Sequence, residues 1–202
     1  MPILLVPIAA LNFLEFEYKI LDFFKDYIKN DFLDVIVPFI TSLGNGGFIW
    51  ILLTVILLFI KKTRKTGLYM ALSLILSLIV CNLTLKPLIA RPRPFEIHKD
   101  MLLLIKAPTD FSFPSGHTSS SFAAAFAFLM GNIKTKDNKK YISNKKWVFA
   151  LLFLATLIAL SRLYLYVHFP SDVFIAFLLG ITFGYVSKKI IDFIYTKNRK
   201  EI

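Results

Sequence analysis

"WVFALLFLATLIALSRLYLYVHFPSD" runs from Trp147 to Asp172. Its first fourteen residues have one polar member, Thr156, and the next twelve bring Arg162, His168 and Asp172. A run of that apolarity reads as a membrane span. Ionisable groups set against such a span are costly and mark function by default. The segment therefore raises two questions together: how many spans the chain has, and what chemistry gathers at their ends.

Composition answers the first in outline. The chain has 202 residues, is 56% hydrophobic and carries 21 Phe. A soluble protein of this length could not bury so much apolar surface, which places the chain in the membrane class. Its one cysteine, Cys81, lies inside an apolar run and has no intramolecular partner. The start, "MPILLVPIAALNFLEFE", lacks a basic n-region and a small-residue cleavage site, so no cleavable signal peptide is expected. The formal charge of +11 does not point to nucleic acid. Most cations fall in short loops between apolar runs, and no Lys/Arg stripe is interleaved with aromatics.

Five apolar segments read as helices: 47–60, 67–85, 118–133, 147–166 and 172–186. The first and third are short for a hydrocarbon core of ~30 Å. No period-two alternation is sustained, which argues against a barrel. Residues 32–43 are apolar but interrupted by Asp34 and Pro38, and read as a short or broken span, or a re-entrant piece, before "GNGG" (44–47). Ahead of them, Phe13, Phe16, Ile20, Phe23, Phe24 and Tyr27 form a helical stripe opposite charged residues, the pattern of an interfacial amphipathic helix. The expected fold is all-α: a polytopic membrane helical bundle of five to six transmembrane helices, forming one domain over 1–202 with an amphipathic N-terminal segment (1–31).

The loops assign sides. Residues 61–65 ("KKTRK"), 134–146 and the tail after Val186 are rich in cations and are expected to be cytoplasmic, the C-terminus included. Alternating spans then put residues 86–117 and 162–172 together on the extracytoplasmic face.

Those two stretches hold the chemistry. "KPLIARPRP" (86–94) sets Lys86, Arg91 and Arg93 at the end of a span, where they either snorkel to headgroups or bind an anion. "FPSGHTSSS" (113–121) is a turn leading into a helix. Ser115 is a candidate N-cap, Gly116 would let an oxyanion approach the backbone, and His117 stands beside the free N–H groups of the first turn. In the opening stretch, Asp172 is four residues past His168, close enough to accept a hydrogen bond from ring Nδ1–H, fix the tautomer and leave Nε2 free. A structural His–Asp pair is the alternative. Guanidinium forks suit phosphate oxygens, and two histidines can serve as nucleophile and general acid without a metal. His117, His168 and Asp172 could also hold zinc, but the surrounding cations oppose a dication.

These residues carry a resemblance. Lys86, six residues, then Arg93-Pro94; Pro114–His117 as Pro-Ser-Gly-His; and Ser161-Arg162, five residues, His168, three residues, Asp172 together resemble the phosphatidic acid phosphatase type 2 superfamily of integral membrane phosphatases. The motifs are complete, in order, and cover 86–172. The resemblance implies that His168 attacks phosphorus to form a phosphohistidine, that Asp172 orients it, and that His117 protonates the leaving oxygen. It implies that Lys86, Arg93, Ser115, Gly116 and Arg162 hold the phosphate, with no metal and no cofactor. Arg91 lies outside the pattern, and His98 reads as a loop residue. The implied function is hydrolysis of a lipid phosphate or diphosphate at the cell membrane. Undecaprenyl diphosphate is the leading candidate, beside phosphatidylglycerol phosphate and phosphatidate. A phosphotransferase using the same phosphohistidine and a non-enzymatic binder or transporter of anionic lipids are the alternatives. Membrane lipids are the expected partners. Gly180 and Gly184, four apart, suit either a homodimer contact or close packing within the monomer.

Overall fold

The computed structural model describes residues 8–98, 101–136 and 139–198. The signal-peptide reading of the first seven residues, the tail cations Arg199 and Lys200, and Asp137 in the 134–146 loop lie outside them. The chain opens with α1 (Ile8–Phe23), continued by a π turn (Phe24–Ile28), then α2 (Asp31–Leu43), a 3-10 turn (Asn45–Gly47) and α3 (Phe48–Phe59). A long rod follows: α4 (Arg64–Ser77), a π-helical stretch (Leu78–Leu85) and α5 (Lys86–Ile89). After the short α6 (Pro94–Ile97) come α7 (Gly116–Asn132), α8 (Lys145–Tyr164) and α9 (Pro170–Asn198). The fold is the expected helical bundle, with one short hairpin in a loop. Strands β1 (Ile133–Lys136) and β2 (Lys139–Ile142) pair antiparallel in the loop after α7, Ile133 opposite Ile142. Four-residue strands are too short to show sustained alternation in sequence.

Three helical stretches are long and apolar enough to cross a bilayer: Arg64–Ile97, Lys145–Tyr164 and Pro170–Lys197. A fourth arises if α2 and α3, bent by 45°, count as one broken span. By length and apolarity alone, three or four spans are marked among the described residues, which does not confirm the expected five to six. Two features make the difference. Segments 32–43 and 47–60 join as that bent pair, and the helix of segment 118–133 is only 17 residues long.

That short helix, α7, is the centre of the bundle, packed by α4, α8 and α9. Ala123, Ala124, Ala125 and Ala127 are buried, and small side chains let the neighbours come close. Its buried hydroxyls are satisfied across helices: Trp50 Nε1 donates to Ser121 Oγ at 2.8 Å, and Ser77 and Ser119 share a hydrogen bond. Gly180 and Gly184 of α9 belong to this packing. A Cβ at Gly180 would come within 2.8 Å of the Ser119 carbonyl oxygen, and one at Gly184 within 2.8 Å of the Ala127 nitrogen. Close packing inside the monomer is thus the role these glycines take. Large apolar residues such as Phe59, Phe149, Phe153 and Phe193 point outward, as in a bundle solvated by lipid.

α1 is amphipathic in an unexpected way. Phe13, Phe16, Phe23 and Tyr27 are exposed, as an interfacial stripe should be. The opposite face docks on the bundle through Glu17, Tyr18 and Leu21, all buried, with Leu21 packed in one cluster with Leu163, Tyr166 and Phe169.

Candidate active site

Pro87 explains how the first cations are presented. It has no N–H and would crowd the carbonyl four residues back, so a plain α-helix cannot run through it. The rod widens to π geometry just before it, with the Lys86 N–H bonded to the Cys81 carbonyl, and ends at Ala90 with φ 48°. The chain then turns and delivers Arg93, which is 1% exposed.

The Ser115 turn is the N-cap that the sequence suggested. Its Oγ accepts from the Thr118 N–H at 3.4 Å and from Thr118 Oγ1 at 3.0 Å. Both bonds use the oxygen as acceptor and leave the Ser115 O–H free to donate, while Gly116 and His117 line the site cavity. A Cβ on Gly116 would stand 2.8 Å from Asn82 Oδ1. The Ser115 N–H donates to the Asp172 carbonyl at 3.2 Å, tying the second motif to the third.

The third motif is aimed by a Schellman turn at the end of α8. The Val167 N–H bonds the Arg162 carbonyl at 3.2 Å and the Tyr166 N–H bonds the Leu163 carbonyl at 2.9 Å. Tyr166 takes the left-handed position, φ 59°, where glycine is usual. Its ring is buried and its hydroxyl donates to Asp22 of α1 at 3.0 Å, which offsets the strain. The reversal points His168 back into the bundle.

Lys86, Arg93, Arg162, His117 and His168 converge on one cavity of ≈ 430 Å³. Arg93 joins the pieces: Nη1 donates to the Val167 carbonyl at 2.6 Å and faces His168 Nε2 at 3.2 Å. A guanidinium only donates, so Nε2 is the acceptor and the ring proton sits on Nδ1. The expected pair of His168 and Asp172 is loose, with a hydroxyl beside it. Nδ1 is 3.6 Å from Asp172 Oδ2 and 3.5 Å from Ser112 Oγ, which in turn donates to Oδ2 at 2.5 Å, so Ser112 links the carboxylate to the edge of the ring. Burial pushes the His168 ring well below its usual pKa, and the charges of Arg93, Arg162 and Lys86 act in the same direction. The ring is therefore neutral, and Nε2 carries an unprotonated lone pair that faces Arg93.

Arg162 is 3% exposed. Its Nη1 donates to Thr41 Oγ1 at 2.5 Å, and its buried Nε has no hydrogen-bond partner. A buried guanidinium left short of acceptors beside two other cations is suited to an incoming oxyanion. On the opposite wall, His117 Nε2–H donates to Asn45 Oδ1 at 2.9 Å. Asn45 belongs to the "GNGG" kink between α2 and α3. Gly46 and Gly47 have φ of 57° and 71°, and a Cβ on Gly44 would lie 2.8 Å from the His117 ring. Only glycine lets the kink come so near.

Five residues around the site had no motif to mark them: Glu17, Thr41, Asn45, Asp110 and Ser112. Asp110 Oδ1 accepts from Arg93 Nη2 at 2.7 Å, and its Oδ2 accepts from Lys86. Burial alone would raise the Asp110 carboxyl, but the hydrogen bonds and charges of Lys86 and Arg93 outweigh it and hold it at about 2. Arg91, outside the matched pattern, turns out to hold Asp172. Its Nη1 donates to Oδ1 at 2.6 Å and to Ser171 Oγ at 2.7 Å, and its Nη2 pairs with the buried Glu17. Position beside Pro114–His117 was the available signal for Asp110 and Ser112. For Glu17 it was an acid set between Phe16 and Tyr18.

The profile of the PAP2 superfamily matches residues 66–195. The chain is 31% identical over 159 residues to the undecaprenyl-diphosphatase of Sulfolobus acidocaldarius, covering 78% of this chain and 70% of that protein. Its fold is similar to the crystal structure of Aquifex aeolicus LpxE, with TM-score 0.69, 29% identity, and coverage of 87% and 94% of the two chains. It is equally similar to the PAP2-type phosphatidylglycerolphosphate phosphatase of Bacillus subtilis, with TM-score 0.69, 26% identity and coverage of 92% and 90%. With the three motifs gathered at one end of a helical membrane bundle and the family matched over most of its length, this chain belongs to the PAP2 superfamily and is a membrane lipid phosphatase.

Proposed function

We propose that the enzyme hydrolyses the phosphate or diphosphate of a long-chain lipid through a phosphohistidine on His168, at the extracytoplasmic face. The leading substrate is undecaprenyl diphosphate, with phosphatidylglycerol phosphate and phosphatidate next. The observation that carries the lipid reading is a second cavity of ≈ 550 Å³. It runs between α3 and α4, lined by Ile51, Val55, Leu58, Leu74, Ile75 and Leu78, and it reaches Lys86, Asp110, Gly116 and His117 at its polar end. An apolar chain lying there would bring its phosphate to the cations without leaving the hydrocarbon layer.

His168 Nε2 attacks phosphorus while the bond to the leaving oxygen breaks, and His117 supplies the proton that oxygen needs. Positive charge on the phosphorylated ring is stabilised through Nδ1–H, Ser112 and Asp172. In the second step, water gives its proton to His117 and attacks phosphorus. The P–N bond breaks, inorganic phosphate leaves, and both histidines return to their starting states. Lys86, Arg93, Arg162 and the first-turn amide of Gly116 stabilise the charge that develops on the equatorial oxygens.

The outward assignment is supported by charge. Arg64 and Lys65 start the rod that carries Lys86 in its last turns, roughly 30 Å away at 1.5 Å per residue. Lys65 pairs with Asp192 near the far end of α9 at 2.6 Å, so the cationic termini gather at the end opposite the site.

Purified protein in detergent is expected to release phosphate from undecaprenyl diphosphate in EDTA. His168→Ala is expected to lose activity by roughly 10³-fold or more, as for removal of a covalent nucleophile. Activity retained in that variant would remove His168 as the nucleophile.

A further inference from the structure

Lys86 and Arg93 face the site cavity, yet neither is free. Both are bonded to one carboxylate, that of Asp110, which spans them as a phosphate's two oxygens would. The burial of the partners is unequal. The Lys86 and Arg93 side chains are 8% and 2% exposed, and that of Asp110 is 54% exposed. The cations are held by the bundle, whereas the carboxylate can rotate into water. Its backbone need not follow, because Arg93 Nε donates separately to the Asp110 carbonyl at 2.7 Å. Arg162, the third cation, has no hydrogen bond to a carboxylate among the described residues.

We propose that Asp110 is an internal competitor for the phosphate subsite: it occupies Lys86 and Arg93 in the resting enzyme, is displaced by the substrate's phosphoryl group, and returns to expel inorganic phosphate. The inference rests on the phosphatase reading, with these two cations as phosphate ligands. Three buried cations around one cavity repel one another and would be costly with no anion present. Asp110 supplies that anion between turnovers and keeps Lys86 and Arg93 in the geometry that phosphate needs. Arg162 stays open to capture the incoming group, which then takes the other two cations in exchange. The same exchange runs backward after hydrolysis. Each phosphate oxygen that lets go of Arg93 is replaced by a carboxylate oxygen, so release leaves no naked charge. Asp110 thus sets how tightly product is held, and a phosphatase that binds its product too well is slow to turn over.

The test uses the full-length enzyme in detergent, with Asp110→Asn and Asp110→Ala, and inorganic phosphate as the probe. Turnover of a lipid phosphate by wild type is measured first. The inhibition constant for phosphate is expected to fall by roughly tenfold or more in both variants, since each removes a charged competitor for the same donors. Thermal unfolding gives a second readout. Without phosphate both variants are expected to melt below wild type, and added phosphate to raise their Tm by more than it raises that of wild type. If wild type turns over but phosphate inhibits the variants no more strongly than wild type, the competitor role is overturned and the phosphatase reading stands. A lowered Tm that phosphate does not recover would reduce Asp110 to a structural ion pair and likewise overturn it. If wild type neither hydrolyses lipid phosphates nor is stabilised by phosphate, both readings fall.

Discussion

Asp172 takes three donors: Arg91 on Oδ1, and Ser112 and the Phe169 N–H on Oδ2. A carboxylate held this way cannot swing to His168, so what it does for the imidazole passes through the Ser112 hydroxyl. Ser112→Ala removes the bridge and leaves the carboxylate 3.6 Å from Nδ1. The expected result is a fall in kcat of roughly 10–100-fold, the worth of a hydrogen bond to a charged group. KM should change less, since Ser112 does not line the phosphate cavity. Ser112→Thr, which keeps the hydroxyl, should recover part of the loss. Steady-state kinetics on the three proteins checks this, and an unchanged kcat in Ser112→Ala would mean that Asp172 reaches His168 unaided. Little of this was legible beforehand. The four-residue spacing of His168 and Asp172 correctly brings them near each other, but spacing does not say whether 3.6 Å or a true hydrogen bond results.

At the scale of elements, α1 shows how one amphipathic pattern serves two surroundings. The exposed aromatic stripe was readable from period alone. The docking of the other face was not, because it depends on Arg91, which lies 74 residues from Glu17. Glu17 is 1% exposed and also accepts from the Ser171 N–H at 2.9 Å and from Ser171 Oγ. Glu17→Ala leaves Arg91 and the first turn of α9 short of acceptors. It should cost on the order of 3–5 kcal/mol in stability, as for a buried pair deprived of one partner. Phe16→Ser, on the exposed stripe of the same helix, should leave the unfolding midpoint nearly unchanged in detergent. Denaturation of the two variants side by side decides the matter: equal effects would mean that α1 does not dock through its polar face. The π stretch before Pro87 makes a related point. Proline announces that the helix must change, but whether the rod ends or widens depends on what packs around it.

For the whole molecule, sidedness is the property that follows from charge alone and can be tested alone. Cationic ends gather at one end of the bundle and the three motifs at the other, and the proposed orientation reads that polarity by the positive-inside rule. Ile97, at the end of α6 and half exposed, is a suitable reporter. With Cys81 replaced by Ser, Ile97→Cys is expected to react with an impermeant thiol reagent in intact cells. Labelling only after lysis would reverse the orientation. The number of crossings is a different kind of quantity. It rests on segment length, and α7 is a short helix packed by α4, α8 and α9. A central helix need not match the bilayer thickness by itself.

The sequence by itself determined the membrane class, the helical bundle, the cationic loops and the three motifs with their spacing. Each of these is written in local composition or in spacings of a few residues, where helix geometry leaves little choice. Only the tertiary structure decided which groups fill the spaces between the motifs: Ser112 between His168 and Asp172, Arg91 and Glu17 behind Asp172, Asn45 against His117, and Asp110 across Lys86 and Arg93. It also decided that Gly180 and Gly184 face α7. Such contacts join residues far apart in the chain, and a single polar side chain on an otherwise featureless segment carries no period from which its partner could be read.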